Sequence, residues 1–153
     1  MIPETIFGIP AHPLIVHAVV VLGPLSALGL IVVVLVPRWR RAYAPLVAQG
    51  TIAATVSAIA AAIAGGALEE SLGASGVLLE KIEAHESIAM TVPIILLVQT
   101  VLAVAVVLLD RRDAARGLVL AVSIGAVVVS GVAIVQIVRA GHAGSEAVWN
   151  PTG

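Results

Sequence analysis

Four histidines and a set of carboxylates are the residues in this sequence whose types could bind a metal or a cofactor. His12 and His17 stand at the start of a long apolar run, His85 precedes another, and His142 follows the last. Imidazole is the commonest metal ligand near neutral pH, and histidines with a carboxylate suit Zn, Fe or Cu. The candidate metal ligands are His12, His17, His85, His142, Glu69, Glu70 and Glu86.

A b-type haem is the other cofactor that this residue set could hold, because two histidines on different membrane helices can be its axial ligands. His17 and His85 are the favoured pair, since each precedes a proline, Pro24 or Pro93, that leaves a backbone carbonyl without its helical donor. His12 and His142 would support them, and a nearby glutamate would supply the carboxylate. The plainer interpretation is that His12, His85 and His142 are helix-entry, interfacial and tail residues. The histidine pattern does not separate haem from metal.

Composition indicates that these residues belong to a membrane protein. The chain has 153 residues, of which 60% are hydrophobic and 11% are charged, with a mean hydropathy of +1.14. Soluble domains carry about 25% charged residues, so most of this surface must face lipid. The absence of cysteine excludes disulfides, thiolate metal sites and cysteine catalysis.

Four apolar runs are each long enough to cross a bilayer, and they predict an all-α, integral membrane four-helix bundle with up-down-up-down topology. Pro45 is expected to open the second helix after an arginine-rich loop at 38–44. A polar tail is expected after Arg139. The chain reads as one domain, 1–153, with predicted spans at 14–36, 46–68, 88–109 and 118–138.

The connection between the second and third spans predicts a short amphipathic helix at the membrane interface. Leu78, Ile82, His85 and Ala89 share one face at helical spacing, while the charged residues between them face elsewhere. His85 is therefore expected to point toward the bundle.

The distribution of basic residues predicts the orientation of the chain in the membrane. Six of the eight lie in the loops between spans 1 and 2 and between spans 3 and 4, so these loops should be cytoplasmic and both termini outside. The arginines indicate topology and lipid-headgroup anchoring; no extended basic surface for nucleic acid accompanies them.

Small residues at four-residue spacing predict close helix packing, as at Gly23 and Ala27 or at Gly117, Ala121 and Gly125. The same pattern could join this chain to a larger membrane complex or to copies of itself. The sequence has no phosphate loop, no Gly-x-Ser-x-Gly elbow and no His-Glu-x-x-His motif, which makes an enzyme the less favoured class.

The opening stretch 12–17, the small-residue end of the second span, His85, and the closing stretch 141–149 resemble a bacterial family of four-helix membrane proteins, domain of unknown function 2231. The resemblance implies a four-span fold in the bacterial inner membrane and no established reaction. Relatives that occur fused to or beside redox proteins imply a respiratory setting.

Two functions follow as hypotheses. The first is a membrane protein whose extracytoplasmic histidine and carboxylate cluster binds a metal ion or haem for electron transfer. The second is a structural accessory subunit of a larger membrane complex, without cofactor, that packs through its small-residue faces.

Overall fold

The computed structural model describes residues 5–112 and 114–152, which form a helical bundle. The five helices are α1 (Ala11–Leu35), α2 (Pro37–Leu72), α3 (Val77–Ala89), α4 (Thr91–Arg111) and α5 (Arg116–Trp149). Two short antiparallel strands, β1 (Thr5–Ile6) and β2 (Ile9–Pro10), precede α1. Phe7 and Gly8 between them both have positive φ, as a tight hairpin turn requires. The all-α prediction is confirmed for the body of the chain.

Four stretches of helix are long and apolar enough to cross a membrane, as the sequence predicted. They are Ala11–Leu35, Pro37–Leu72, Val77–Arg111 and Arg116–Trp149. The third combines α3 and α4, which only Met90 separates. Met90 itself has right-handed helical dihedral angles, and its N–H donates to the carbonyl of Glu86.

The junction between α1 and α2 differs from the prediction, because the expected loop at 38–44 is helical and Pro45 lies inside α2. Only Val36 separates the two helices, and Pro37 takes the first position of α2, where a missing N–H costs nothing. The Arg40 Nη2 donates to the carbonyl of Val34 at 2.9 Å. That carbonyl belongs to the last turn of α1, whose oxygens lack helical donors. The arginine run therefore caps one helix while it forms the next.

Two helices extend beyond the predicted apolar runs at the opposite end of the bundle. α2 continues to Leu72, where Gly73 ends it in the left-handed conformation. α5 continues to Trp149 through the stretch expected to be a polar tail. The α5 extension packs against α3, so α3 lies on a neighbouring helix.

The helices close into a ring in which α1 and α4 each pack against both α2 and α5. Small side chains make this close approach possible: a Cβ added at Gly23 of α1 would lie 2.5 Å from Ile137 Cδ1 of α5. One apolar cluster surrounds Ala58, Leu96 and Ala133, and a second surrounds Leu30 and Ala103. The first lies toward the end of the bundle that holds His12 and His85, here called the histidine end. The second lies toward the arginine end, where α1 meets α2.

A layer of buried polar residues separates the two clusters. It contains Ser26, Thr51, Thr55, Gln99 and Ser130. Thr55 Oγ1 lies 3.0 Å from Thr100 Oγ1, which links α2 to α4. Within residues 5–112 and 114–152, the amide of Gln99 and the hydroxyl of Ser130 have no hydrogen-bond partner. The hydropathy pattern gave no indication of this layer.

Candidate functional site

His12 lies in the first turn of α1 and binds the backbone of α2. Its Nδ1 donates to the carbonyl oxygen of Ala61 at 2.8 Å. A carbonyl only accepts, so the proton of a neutral His12 ring is on Nδ1 and its Nε2 keeps a free lone pair. One turn further along α2, Gly65 faces the ring: a Cβ added there would lie 3.1 Å from Nδ1. Ala61 and Gly65 together form the His12 contact.

His85 of α3 binds α5 in the same way. Its Nδ1 donates to the carbonyl oxygen of Ala140 at 3.0 Å, which again leaves Nε2 as the free nitrogen. Gly144, four residues further on, faces the ring, and a Cβ added there would lie 3.1 Å from Cε1. Ala140 and Gly144 form the His85 contact, which repeats the alanine carbonyl and glycine surface of the His12 contact.

The two rings meet inside the bundle. The centroids of His12 and His85 lie 6.4 Å apart, and the ring planes are inclined at 85°. Both side chains are half-buried. Because α1 and α3 each direct an imidazole toward the same space, the two histidines form a pair whose rings are held by hydrogen bonds to two further helices.

This pair borders a cleft of about 440 Å³ to which all five helices contribute. Most of the lining is apolar, with side chains such as Val16, Leu78 and Ile82. Its ionisable side chains are five of the seven predicted ligands: His12, His17, Glu69, His85 and Glu86. The structure therefore places these five residues at one end of the bundle.

His17 differs from its predicted role, because the ring next to His85 is that of His12. His17 is exposed, and its Nδ1 donates to the carbonyl of Pro13 in its own helix at 2.6 Å. His12 and His17 are five residues apart, which places them about 140° apart around α1. Because His12 faces α2, His17 points well away from α2, and it lines the cleft only at its border.

Glu70 and His142 are the two predicted ligands that do not border the cleft. Glu70 is exposed and lies about 100° around α2 from Glu69. His142 is also exposed, and its Nε2 lies 3.6 Å from Oε1 of Glu146 on the same helix. In the part of the chain that the structure describes, no three His, Asp or Glu side chains are grouped closely enough to hold a metal ion. Of the seven residues expected from the sequence, the cleft is thus lined by the histidine pair, His17, Glu69 and Glu86.

One comparison with known proteins identifies a family. A family model for predicted membrane proteins, domain of unknown function 2231 (DUF2231), matches residues 8–152. The chain belongs to the DUF2231 family. The match confirms the resemblance seen in the opening and closing motifs, and it spans all five helices. No similar curated protein and no similar solved structure was found.

The DUF2231 description and the four apolar helices make this chain a multi-pass integral membrane protein embedded in lipid. Sequence reasoning missed the residues that position the histidines. Ala61 and Gly65, like Ala140 and Gly144, are an alanine and a glycine at four-residue spacing. That repeated spacing is the signal that could have identified them, because an imidazole reaches a backbone carbonyl most easily beside a glycine.

Proposed function

We propose that this DUF2231 protein holds a b-type haem between His12 and His85 and uses it for electron transfer in a respiratory setting. The separation of the two imidazoles carries the proposal. Two metal–nitrogen bonds of about 2 Å and two distances of roughly 1.1 Å from nitrogen to ring centre span about 6 Å. The observed centroid separation of 6.4 Å is close to this span, so His12 and His85 are the residues that would hold the haem iron.

The hydrogen bonding of the pair supports the same arrangement. Each Nδ1 donates to a backbone carbonyl, so each Nε2 keeps a lone pair with which it would bind the iron. A second-shell bond of this kind fixes the tautomer and the ring orientation and makes the ligating nitrogen more basic. These bonds come from α2 and α5, which would hold the rings in place in the absence of the cofactor.

The composition of the site favours haem over a bare metal ion. Structural zinc sites take four protein ligands, and catalytic ones take three. A haem iron takes its remaining four ligands from the porphyrin and needs only two imidazoles. Among the described residues, the histidines form a pair with no third ligand grouped beside it. The cleft of about 440 Å³ lies within the usual range for cofactor sites, roughly 300–1,000 Å³.

We further propose an up-down-up-down bundle in the bacterial inner membrane, with the histidine end and both termini outside the cytoplasm and α3 at the outer interface. The basic residues support this orientation. Six of eight lie at the arginine end or in the α4–α5 connection: Arg38, Arg40, Arg41, Arg111, Arg112 and Arg116. Cytoplasmic loops carry such an excess of positive charge. The haem would then exchange electrons at the outer face.

The test is an absorption spectrum of the full chain, purified in mild detergent from cells supplied with haem precursor. We expect a Soret band, and α and β bands that sharpen on reduction with dithionite, at one iron per chain. His12→Ala and His85→Ala should each lose these bands, because each removes an axial ligand. His142→Ala should keep them, since His142 is exposed and borders no part of the cleft.

Three outcomes would overturn the proposal. A helical, monodisperse wild-type chain that binds no haem, even when hemin is added, would favour the accessory-subunit hypothesis. Stoichiometric zinc or copper, lost in the two alanine variants, would show that the histidine pair binds a bare metal ion. Haem that survives both variants would place the cofactor elsewhere.

A further inference from the structure

A second cavity, of about 330 Å³, lies at the arginine end between α2 and α4. Its charged lining consists of Arg40, Arg41, Arg111 and Asp110. Three guanidinium groups face one carboxylate, so the lining has a net charge of about +2. This cavity is at the opposite end of the bundle from the histidine pair, and no part of the proposed haem function uses it.

The charged groups differ in exposure. Arg40 and Asp110 are partly buried, whereas Arg41 and Arg111 are exposed at the rim. The Nη2 of Arg40 bonds to the carbonyl of Val34, and its Nε is 3.5 Å from the carbonyl of Val33. These bonds hold the guanidinium in place beside the cavity, so a ligand would not have to order that side chain.

The aromatic residues nearby indicate the depth of the cavity in the membrane. Trp39 and Tyr43, on the same turns of α2, are exposed and pack edge to face with ring centroids 6.0 Å apart. The Arg38 guanidinium lies 5.9 Å from the centre of the Trp39 ring. Tryptophan and tyrosine collect at the level of lipid headgroups. The cavity therefore opens where phosphate groups of the bilayer are found.

We propose that this cavity binds a phosphate group, and that its source is the headgroup of an anionic phospholipid. Guanidinium groups bind phosphate oxygens with paired hydrogen bonds. Asp110 limits the charge that the site accepts, which favours the single negative charge of a phosphodiester over a more highly charged anion. The wall formed by Ala44, Pro45 and Val107 is apolar and suits the glycerol and first acyl carbons of a lipid.

The experiment titrates the full chain, in mild detergent, with dioleoyl phosphatidylglycerol and follows the lipid-bound species by native mass spectrometry. The test variant is Arg41→Gln with Arg111→Gln, which removes the two exposed guanidiniums of the rim. The matched control is Arg112→Gln with Arg116→Gln, which removes the same charge from exposed positions outside the cavity. A parallel titration adds inorganic phosphate.

We expect the test variant to bind the lipid at least about 10-fold more weakly, because it removes two guanidiniums that would donate charge-assisted hydrogen bonds to the phosphate. The control should change affinity by less than about threefold, because Arg112 and Arg116 lie outside the cavity and would make no such bonds. Phosphatidylglycerol binding that millimolar phosphate does not displace supports a lipid headgroup. If inorganic phosphate binds instead of the lipid, and the test variant no longer binds it, the cavity is a phosphate site whose ligand is free phosphate. Equal losses in the two double variants, or no binding of either probe, would overturn the proposal.

Discussion

The His12 contact joins α1 to α2, and the His85 contact joins α3 to α5. Both consist of an Nδ1 donor, an alanine carbonyl and a glycine one turn later. The helices they attach are otherwise very different. α1 has eight buried residues along its length, whereas α3, all of whose residues are described, has none.

That difference changes what each contact contributes. The α1–α2 interface continues far beyond His12, for example where Gly29 meets Val47 and where Gly50 meets Ser26. Loss of the His12 bond would leave most of that interface intact. α3 is held by half-buried side chains, by the His85 bond and by a hydrogen bond from Lys81 Nζ to the carbonyl of Asn150. The His85 bond therefore supplies a larger share of the attachment than the His12 bond does. The same local geometry is therefore a minor element of one interface and a major element of the other.

The largest expected effect comes from His85→Ala. Loss of the His85 hydrogen bond and of the half-buried ring contacts with Ala140 and Gly144 costs about 1–3 kcal/mol in all, and no residue of α3 is fully buried. We expect amide hydrogen exchange across Val77–Ala89 to accelerate about 10- to 100-fold at about 25 °C. His12→Ala should accelerate exchange only in the first turn of α1. If exchange accelerated equally in α1 after His12→Ala and in α3 after His85→Ala, the two contacts would contribute equally to holding their helices.

An intermediate effect is expected from filling the glycine surfaces. Gly144→Ala and Gly65→Ala each place a Cβ 3.1 Å from the nearest imidazole atom, so the ring must shift. Gly141→Ala and Gly66→Ala are matched controls in the same helices, since a Cβ there meets nothing within 4 Å. Alanine in a helix is otherwise favoured over glycine by roughly 0.5–1 kcal/mol. In detergent, the free energy of unfolding of each test variant should be about 1–2 kcal/mol lower than that of its control in the same helix. If a test variant and its control had the same free energy of unfolding, the imidazole that faces the glycine would be free to move aside.

The smallest effect is expected from His17→Ala. This ring is exposed and bonds only within its own helix, to the carbonyl of Pro13. We expect a change below about 0.5 kcal/mol in the free energy of unfolding, as for other surface sites. The measurement is the same detergent unfolding curve. A decrease in the free energy of unfolding as large as the one caused by His85→Ala would show that His17 takes part in the histidine pair.

Hydropathy was sufficient to predict the four helices, because a bilayer requires runs of that length and composition. It was not sufficient for the junction at 36–37. The arginines between Pro37 and Pro45 indicated a loop, but arginine is also a good helix former, and Arg40 had carbonyls of α1 to cap. The run of charge did not mark the end of a helix.

The sequence did not predict which two histidine rings lie side by side. The identity of the partner of His85 depends on where α1 begins. The first span was predicted to begin at residue 14, which left His12 outside the helix; with α1 beginning at Ala11, His12 is one of its first-turn residues and faces α2. A shift of three residues at a helix start is small in sequence, but it decides whether His12 belongs to the helix and can face its neighbour.

The single residue between α1 and α2 has a consequence for motion. Helices joined by a long loop can rotate apart, whereas Val36 and the Arg40 cap fix the angle between α1 and α2 at the arginine end. α1 and α2 therefore form two continuous walls of the cleft. α3 lies between Gly76 and Met90 and has no fully buried residue, so it is the wall whose displacement would expose the least buried surface.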